Sequence, residues 1–175
     1  MCSTFGEILE PVSRTAWEDW DEINPQHKTK DLKWSQDLKS PEEIETFVIM
    51  EGKYLSQCIK SQTHHRLELI DWIPEVNLQL FKFKMSNKYI CTVKNYNLVM
   101  SSEIVQLLRP YLAVSANVVA IQTKALPEYQ AMETSAQDCI IRTIRTSKSS
   151  KELDVEFPQL EQPNIISGVS AGGKA

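Results

Sequence analysis

The side chains that most often do chemistry are sparse and scattered in this sequence. The cysteines and histidines are Cys2, Cys58, Cys91 and Cys139, with His27, His64 and His65. A zinc site needs about four converging ligands, and the adjacent pair His64 and His65 would diverge on a helix or a strand. A Cys/His nucleophile would need a thiol beside an imidazole in space, and no local motif such as G-x-S-x-G supports one. We therefore interpret the histidines as surface residues and the thiols as small apolar side chains.

Phosphate chemistry is equally weakly indicated. Gly52 and Lys53 follow an apolar run, but a Walker loop needs an earlier glycine and a Ser or Thr after the lysine, where this chain has Tyr54. With only 5 glycines, the chain contains no G-x-G-x-x-G, so dinucleotide binding by that route is excluded. The acidic segment 17–22 could supply an acid and a base, but such a charge run is usually solvated. The sequence favours no enzyme class.

Nucleic-acid binding is disfavoured by both pattern and charge. Phe81, Lys82, Phe83 and Lys84 alternate as in proteins that bind single strands. On a strand, however, the two phenylalanines would share one face and the two lysines the other. The net charge of −4 and the pI of about 5.5 give no long-range attraction for nucleic acid or an anionic membrane.

Composition predicts a folded intracellular protein. The chain has 175 residues, of which 42% are hydrophobic and 24% charged, and a chain of this size buries roughly 70% of its unfolded surface. Single cysteines, the absence of an Asn-X-Ser/Thr sequon and the lack of an apolar signal segment indicate a reducing compartment. No run approaches the roughly 18 apolar residues of a spanning helix. We expect no membrane insertion and a cytoplasmic or nuclear location.

The hydrophobic pattern predicts alternating strands and helices. Apolar runs predict strands at 46–50, 76–85, 88–94, 117–123 and 139–146. A hairpin turn is expected at Ser86–Asn87, and strand 117–123 is expected at the centre of the sheet. Helical spacing predicts one helix at 53–63 and another from Ser101, kinked or shortened at Pro110. The predicted fold class is α/β, a single-domain sandwich of a mixed central sheet with helices on its faces.

Composition also divides the chain into three regions. Residues 1–40 form an acidic, Trp-containing arm that we expect to be partly disordered, and 41–166 form the α/β domain. Residues 167–175 are rich in glycine and predict a flexible tail. Trp17, Trp20 and Trp34 stand outside any evident core. The arm either packs on the domain surface, which we favour for the arm as a whole, or presents Trp17 and Trp20 as partner anchors with a charged rim.

One late segment resembles a known family. Residues 160–165, Leu160-Glu161-Gln162-Pro163-Asn164-Ile165, closely resemble an element of the proteasome assembly chaperone 1 family. In order along the chain, Phe5 to Ile8 with Pro11, Phe47 to Ser61, Asn117 to Tyr129 and Ile140 to Ser147 resemble further parts of it. The resemblance covers most of the chain, and 160–165 is its most specific part. We therefore treat Leu160, Glu161, Gln162, Pro163, Asn164 and Ile165 as candidate family-motif or partner-binding residues.

The resemblance implies a function in protein assembly. Members of this family pair with proteasome assembly chaperone 2 as a heterodimer and hold α subunits of the 20S proteasome while the α ring forms. They are not enzymes and need no cofactor, and the resemblance adds the endoplasmic reticulum surface to the expected locations. The alternative is a small-molecule enzyme with an α/β hydrolase-like or phosphorylase-like fold, or a degenerate relative of one. Converging titratable side chains in a closed cleft would favour the enzyme.

The sequence departs from the family after residue 166. The family continues with further helix and strand and with a tail that docks between α subunits, whereas this chain has the glycine-rich end 167–175. The resemblance is thus to a short or truncated form. We expect this departure to leave an exposed sheet edge and an exposed apolar face.

Overall fold

The structure is a computed structural model that describes residues 32–35, 41–55, 59, 66–130, 139–146 and 157–173. The chain divides into two units, Met1–Lys30 and Asp31–Ala175, and all described residues belong to the second. Trp17 and Trp20, with nearly all of the predicted arm, therefore lie outside the described residues.

A five-stranded mixed sheet forms the framework of the second unit. Its strands are β1 (Ile44–Glu51), β2 (Leu67–Ile73), β3 (Leu78–Phe83), β4 (Lys88–Val93) and β5 (Ser115–Gln122). They are ordered β2-β3-β4-β1-β5 across the sheet. β1 is parallel to both of its neighbours, whereas the β2–β3 and β3–β4 pairs are antiparallel. The predicted α/β fold with a mixed sheet is confirmed.

β1 is covered on both faces, as its continuous apolar run predicts. Phe47 and Ile49 are fully buried on one face, and Val48 and Met50 pack on the other. A strand between two parallel neighbours needs apolar residues on both sides because helices cover both faces. Glu51, the last residue of β1, is the buried exception.

β3 and β4 form the predicted hairpin, with its turn at residues 84–87. Leu78 and Leu80 join the core on one face, whereas Phe81 and Phe83 pack on the other. Both faces of β3 are therefore covered, which explains its irregular hydrophobic alternation. β3 begins two residues later than predicted because Pro74–Val76 form a 3-10 turn and Asn77 adopts a left-handed conformation with φ of 47°.

Helices α1 (Ser101–Ala113) and α2 (Gly168–Gly172) cover one face of the sheet. Ile104, Leu108 and Tyr111 of α1 are buried there. Pro110 lies inside α1 without shortening it, because the helix continues to Ala113. No described helix is long and apolar enough to cross a bilayer.

The opposite face carries a smaller hydrophobic cluster, formed by Ile59, Leu67, Phe81 and Ile90. Leu55 and Ile59 are helical, in agreement with the predicted helix 53–63. The rest of that prediction after Leu55 lies outside the described residues. Helical residues therefore pack on both sides of the sheet, as the fold class predicts.

Two strand predictions need correction, and one strand was not predicted. The predicted central strand is β5, but it lies at an edge, because β1 is its only strand partner within the described residues. Segment 139–146 is not a strand and makes one isolated bridge, between Thr143 and Gln159. Its β-branched residues favour a strand only where a neighbouring strand can pair with them. β2 was not predicted, because a bulge between Leu69 and Asp71 interrupts its alternation.

Trp34 and residues 168–172 depart from the predicted arm and the predicted flexible tail. Trp34 packs edge-on against Tyr111 with ring centroids 5.7 Å apart, so it belongs to the domain and not to a free arm. The predicted flexible tail contains α2, in which Val169 is fully buried. Glycine permits this close packing, because a Cβ at Gly172 would lie 2.6 Å from Val105.

Candidate protein-interaction site

A buried polar cluster lies where β1 ends. Glu51 is 5% exposed, and its carboxylate accepts hydrogen bonds from the Tyr96 hydroxyl and, at 2.8 Å, from the Ser170 backbone N–H. The Tyr96 oxygen in turn accepts from the Val169 N–H at 3.1 Å. Ligand sites of α/β sheets commonly lie at the carboxyl ends of parallel strands. If the chain were an enzyme, this cluster would be the expected place of its active site.

The groups of this cluster are mostly engaged with one another. Gly168 has a φ of +69°, and a Cβ there would collide with Glu51 and Tyr96. Burial, followed by the hydrogen bond to Glu51, raises the pKa of Tyr96, which stays a neutral donor. The buried hydroxyls of Ser170 and Thr123 have no partner within the described residues. The carboxylate already accepts two hydrogen bonds, so the cluster serves to fasten α2 to β1.

The thiols do not assemble into a reactive site within the described residues. Cys91 is fully buried, and burial raises the pKa of its thiol, which keeps it protonated and unreactive. Cys139 is exposed on the segment 139–146. No group of three or more His, Cys, Asp or Glu in the described ranges could hold a metal ion. The three histidines, Cys2 and Cys58 lie outside those ranges.

The resembling motif lies among three segments, 126–130, 139–146 and 157–167, which we call the loop cluster. Glu161 Oε1 accepts hydrogen bonds from Arg142 Nε at 3.2 Å and from the Tyr129 hydroxyl at 3.3 Å. The Arg142 guanidinium also lies 5.5 Å from the centre of the Tyr129 ring. One carboxylate therefore connects all three segments.

Asn164 makes the second connection in the loop cluster. Its Oδ1 accepts from the Gln130 N–H at 2.8 Å, and its Nδ2 donates to the Gln130 carbonyl at 2.7 Å. Nδ2 also donates to the Glu161 carbonyl at 3.0 Å. The amide thus satisfies both backbone groups of Gln130, as a neighbouring strand would.

The other motif residues divide between internal and exposed positions. Leu160 is half-buried, and its N–H donates to the Thr143 carbonyl at 2.9 Å. Gln162 and Pro163, joined by a cis peptide bond, are exposed, and Ile165 is 71% exposed. Glu161 and Asn164 therefore make hydrogen bonds within the chain that hold its loops together. Gln162, Pro163 and Ile165 remain candidates for contact with a partner.

Exposed apolar side chains concentrate on the loop cluster. Six of its large hydrophobic residues are between 38% and 71% exposed: Leu126, Ile141, Ile144, Phe157, Ile165 and Ile166. The loop cluster is tied to the end of β5, because Gln122 Nε2 donates to the Ser167 carbonyl at 2.8 Å and Lys124 Nζ to the Ile165 carbonyl at 2.9 Å. Exposed apolar residues on connected segments make the loop cluster a candidate protein-interaction surface.

The residues that position the motif were not predicted from the sequence. Tyr129, Gln130 and Arg142 are distant from the motif along the chain, and their bonds to Glu161 and Asn164 depend on how the loops fold together. The one available signal was the pair of arginines, Arg142 and Arg145, within the β-branched and apolar run 139–146, and nothing in the sequence distinguishes Arg142 from Arg145. No protein-family model and no curated protein matches this sequence.

Proposed function

We propose that this protein is a non-catalytic chaperone subunit that binds other polypeptides, similar to proteasome assembly chaperone 1. In this role it pairs with proteasome assembly chaperone 2 and holds α subunits of the 20S proteasome during assembly of the α ring. It uses no cofactor and acts in the cytoplasm, with the nucleus and the endoplasmic reticulum surface as further sites. The observation that carries the proposal is the set of exposed apolar side chains on the loop cluster, which the resembling motif holds together.

Burial of these side chains would supply binding energy. Ile144 and Ile141 are 52% and 53% exposed, and Ile165 is 71% exposed. Fully burying an exposed isoleucine contributes about 1.5–3 kcal/mol. These side chains are already partly covered, so each would contribute roughly half to two-thirds of that amount toward the costs of association. Glu161 and Asn164 support this role by fixing the loops that present them, which lowers the entropy lost on binding.

The alternative enzyme is less well supported by the described residues. The Glu51 carboxylate is 5% exposed and accepts the Tyr96 hydroxyl on one oxygen and the Ser170 N–H on the other, so a substrate could reach it only if the surrounding chain moved. The Cys91 thiol is fully buried. We therefore prefer binding to catalysis.

Affinity purification tests the proposal. The tagged chain is expressed in cells that assemble proteasomes, and the captured proteins are identified by mass spectrometry. We expect recovery of the second chaperone subunit and of free α subunits, with a tagged acidic protein of similar size as control. Recovery of neither class above the control would contradict the proposed function.

A further inference from the structure

Strand β5 has one row of backbone groups that no other described strand pairs with. Within the described part of the chain it pairs with β1 alone. Thr123 directly follows β5, and its N–H donates to the Glu51 carbonyl of β1 at 2.9 Å. Successive residues of a strand turn their backbone groups to opposite sides, so this bond determines which residues of β5 face β1. Backbone groups of Val119 and Ile121 therefore face β1, whereas those of Val118 and Ala120 face outward. Such a row is a template for another strand.

The opposite edge of the sheet is protected against pairing, and β5 is not. β2 carries the exposed Glu68, contains a bulge between Leu69 and Asp71, and is followed by Pro74, and the buried Asp71 accepts a hydrogen bond from the Ser35 N–H at 2.8 Å. Charges, bulges and prolines of this kind prevent edge-to-edge association. β5 has the sequence SANVVAIQ, without a charge, proline or glycine, and it pairs with β1 without a register shift. The two edges therefore differ in the features that decide whether a strand can be added.

Side chains beside this edge add an apolar surface. Val119 and Ile121 are 41% and 40% exposed. They pair in register with Val48 and Met50 of β1, so all four side chains share one sheet face. A strand added to β5 would extend this apolar face.

We propose that β5 pairs with β5 of a second copy of this chain, antiparallel across a two-fold axis. With the axis at Val119, Val118 lies opposite Ala120 of the partner subunit, and both residues turn their backbone groups toward the new interface. Residues 116–122 of both copies then overlap fully. Because β5 is uncharged, this self-pairing places no like charges opposite each other, and it brings the exposed valines and isoleucines of both copies onto one face. This inference does not depend on the proposed chaperone function.

A proline at the outward-facing position tests the pairing. Ala120→Pro removes an outward N–H and leaves the hydrogen bonds to β1 in place. By light scattering after gel filtration over a dilution series, we expect the unmodified chain to form dimers that dissociate on dilution and Ala120→Pro to be monomeric. The control Leu69→Lys, at a 51% exposed position on the same sheet face in β2, should dimerise as the unmodified chain does. Circular dichroism checks that each variant folds.

A cysteine at the axis gives a second measurement that does not depend on Ala120→Pro. Val119 would face Val119 of the partner subunit in a non-hydrogen-bonded pair, with Cα atoms about 4.5 Å apart, which is within the range for a disulfide. With Cys2, Cys58 and Cys139 replaced by serine, Val119→Cys should form a disulfide-linked dimer on mild oxidation and Leu69→Cys should not.

Two results would overturn the proposal. One is a chain that is monomeric at every concentration and whose Val119→Cys variant does not cross-link. The other is a monomer in which the Val118 and Ala120 amides are protected from hydrogen exchange, because another segment would then occupy the edge.

Discussion

At the scale of single residues, the main feature is a buried carboxylate held by neutral donors. Glu51 accepts from the Tyr96 hydroxyl and the Ser170 N–H and has no ion pair within the described residues. A buried charge is costly unless hydrogen bonds replace its water. The Tyr96 hydroxyl oxygen in turn accepts a hydrogen bond from the Val169 N–H of α2. Removal of the Tyr96 hydroxyl should therefore destabilise both the buried Glu51 carboxylate and the packing of α2.

Tyr96→Phe tests this dependence. Because the pKa of Tyr96 is raised from 10.0 in the folded chain, its contribution to stability is complete below about pH 10 and is lost as the pH rises through the folded pKa. We expect Tyr96→Phe to lower the free energy of unfolding at neutral pH by about 1–2 kcal/mol. When the pH is raised above about 10, the free energy of unfolding of Tyr96→Phe should fall by less than that of the unmodified chain. Urea unfolding at several pH values measures both effects.

The control for this prediction is Tyr54→Phe, at a residue that is 62% exposed. It should match the unmodified chain at every pH. If Tyr96→Phe matched it as well, the hydrogen bonds of Tyr96 would not stabilise the fold.

At the scale of elements, the loop cluster is built by side chains more than by strand pairing. The single backbone bridge among the described residues joins Thr143 and Gln159, and the Thr143 hydroxyl donates to the Phe157 carbonyl at 3.3 Å. Glu161 and Asn164 supply the side-chain bonds to Arg142, Tyr129 and Gln130. These bonds join residues that are 19 to 34 positions apart. The loops that present the exposed apolar residues should therefore loosen when one connection is removed.

Asn164→Ala should release the loop cluster without unfolding the sheet. It removes three hydrogen bonds, two of them to the Gln130 backbone, and we expect a local loss of about 1–3 kcal/mol. Hydrogen exchange followed by mass spectrometry should show faster exchange around Gln130, while peptides from β1 and α1 keep their protection.

The neighbouring exposed residue provides the control, since Gln162→Ala should leave the exchange of all these peptides unchanged. Unchanged protection around Gln130 in Asn164→Ala would show that the loops are held in another way.

The same elements show how far the sequence predicts the fold. Continuous apolar runs identified β1 and the β3–β4 hairpin, and helical spacing identified α1, because local pattern decides these elements. The edge position of β5 depends on which strands pair with it, which periodicity does not contain. The motif 160–165 was identified by resemblance, but its internal bonds to Tyr129, Gln130 and Arg142 depend on the tertiary fold.

At the scale of the whole molecule, the described surface has unequal edges. The β2 edge carries the exposed Glu68 and a bulge, whereas β5 is uncharged and adjoins the apolar side chains of the loop cluster. The buried polar cluster, by contrast, is engaged in fastening α2. This arrangement supports the proposed protein binding, because exposed apolar side chains beside an uncharged edge can form the core of an interface.

Calorimetric titration of the purified chain with the purified second chaperone subunit measures the proposed binding. We predict binding with a negative heat-capacity change, because apolar surface is buried. Ile144→Asp, at a 52% exposed residue of the loop cluster, should weaken the affinity for the second chaperone subunit by about tenfold or more. Met85→Asp, at a 97% exposed residue of the β3–β4 turn, should not. No binding by the unmodified chain, or equal weakening by both substitutions, would contradict the account.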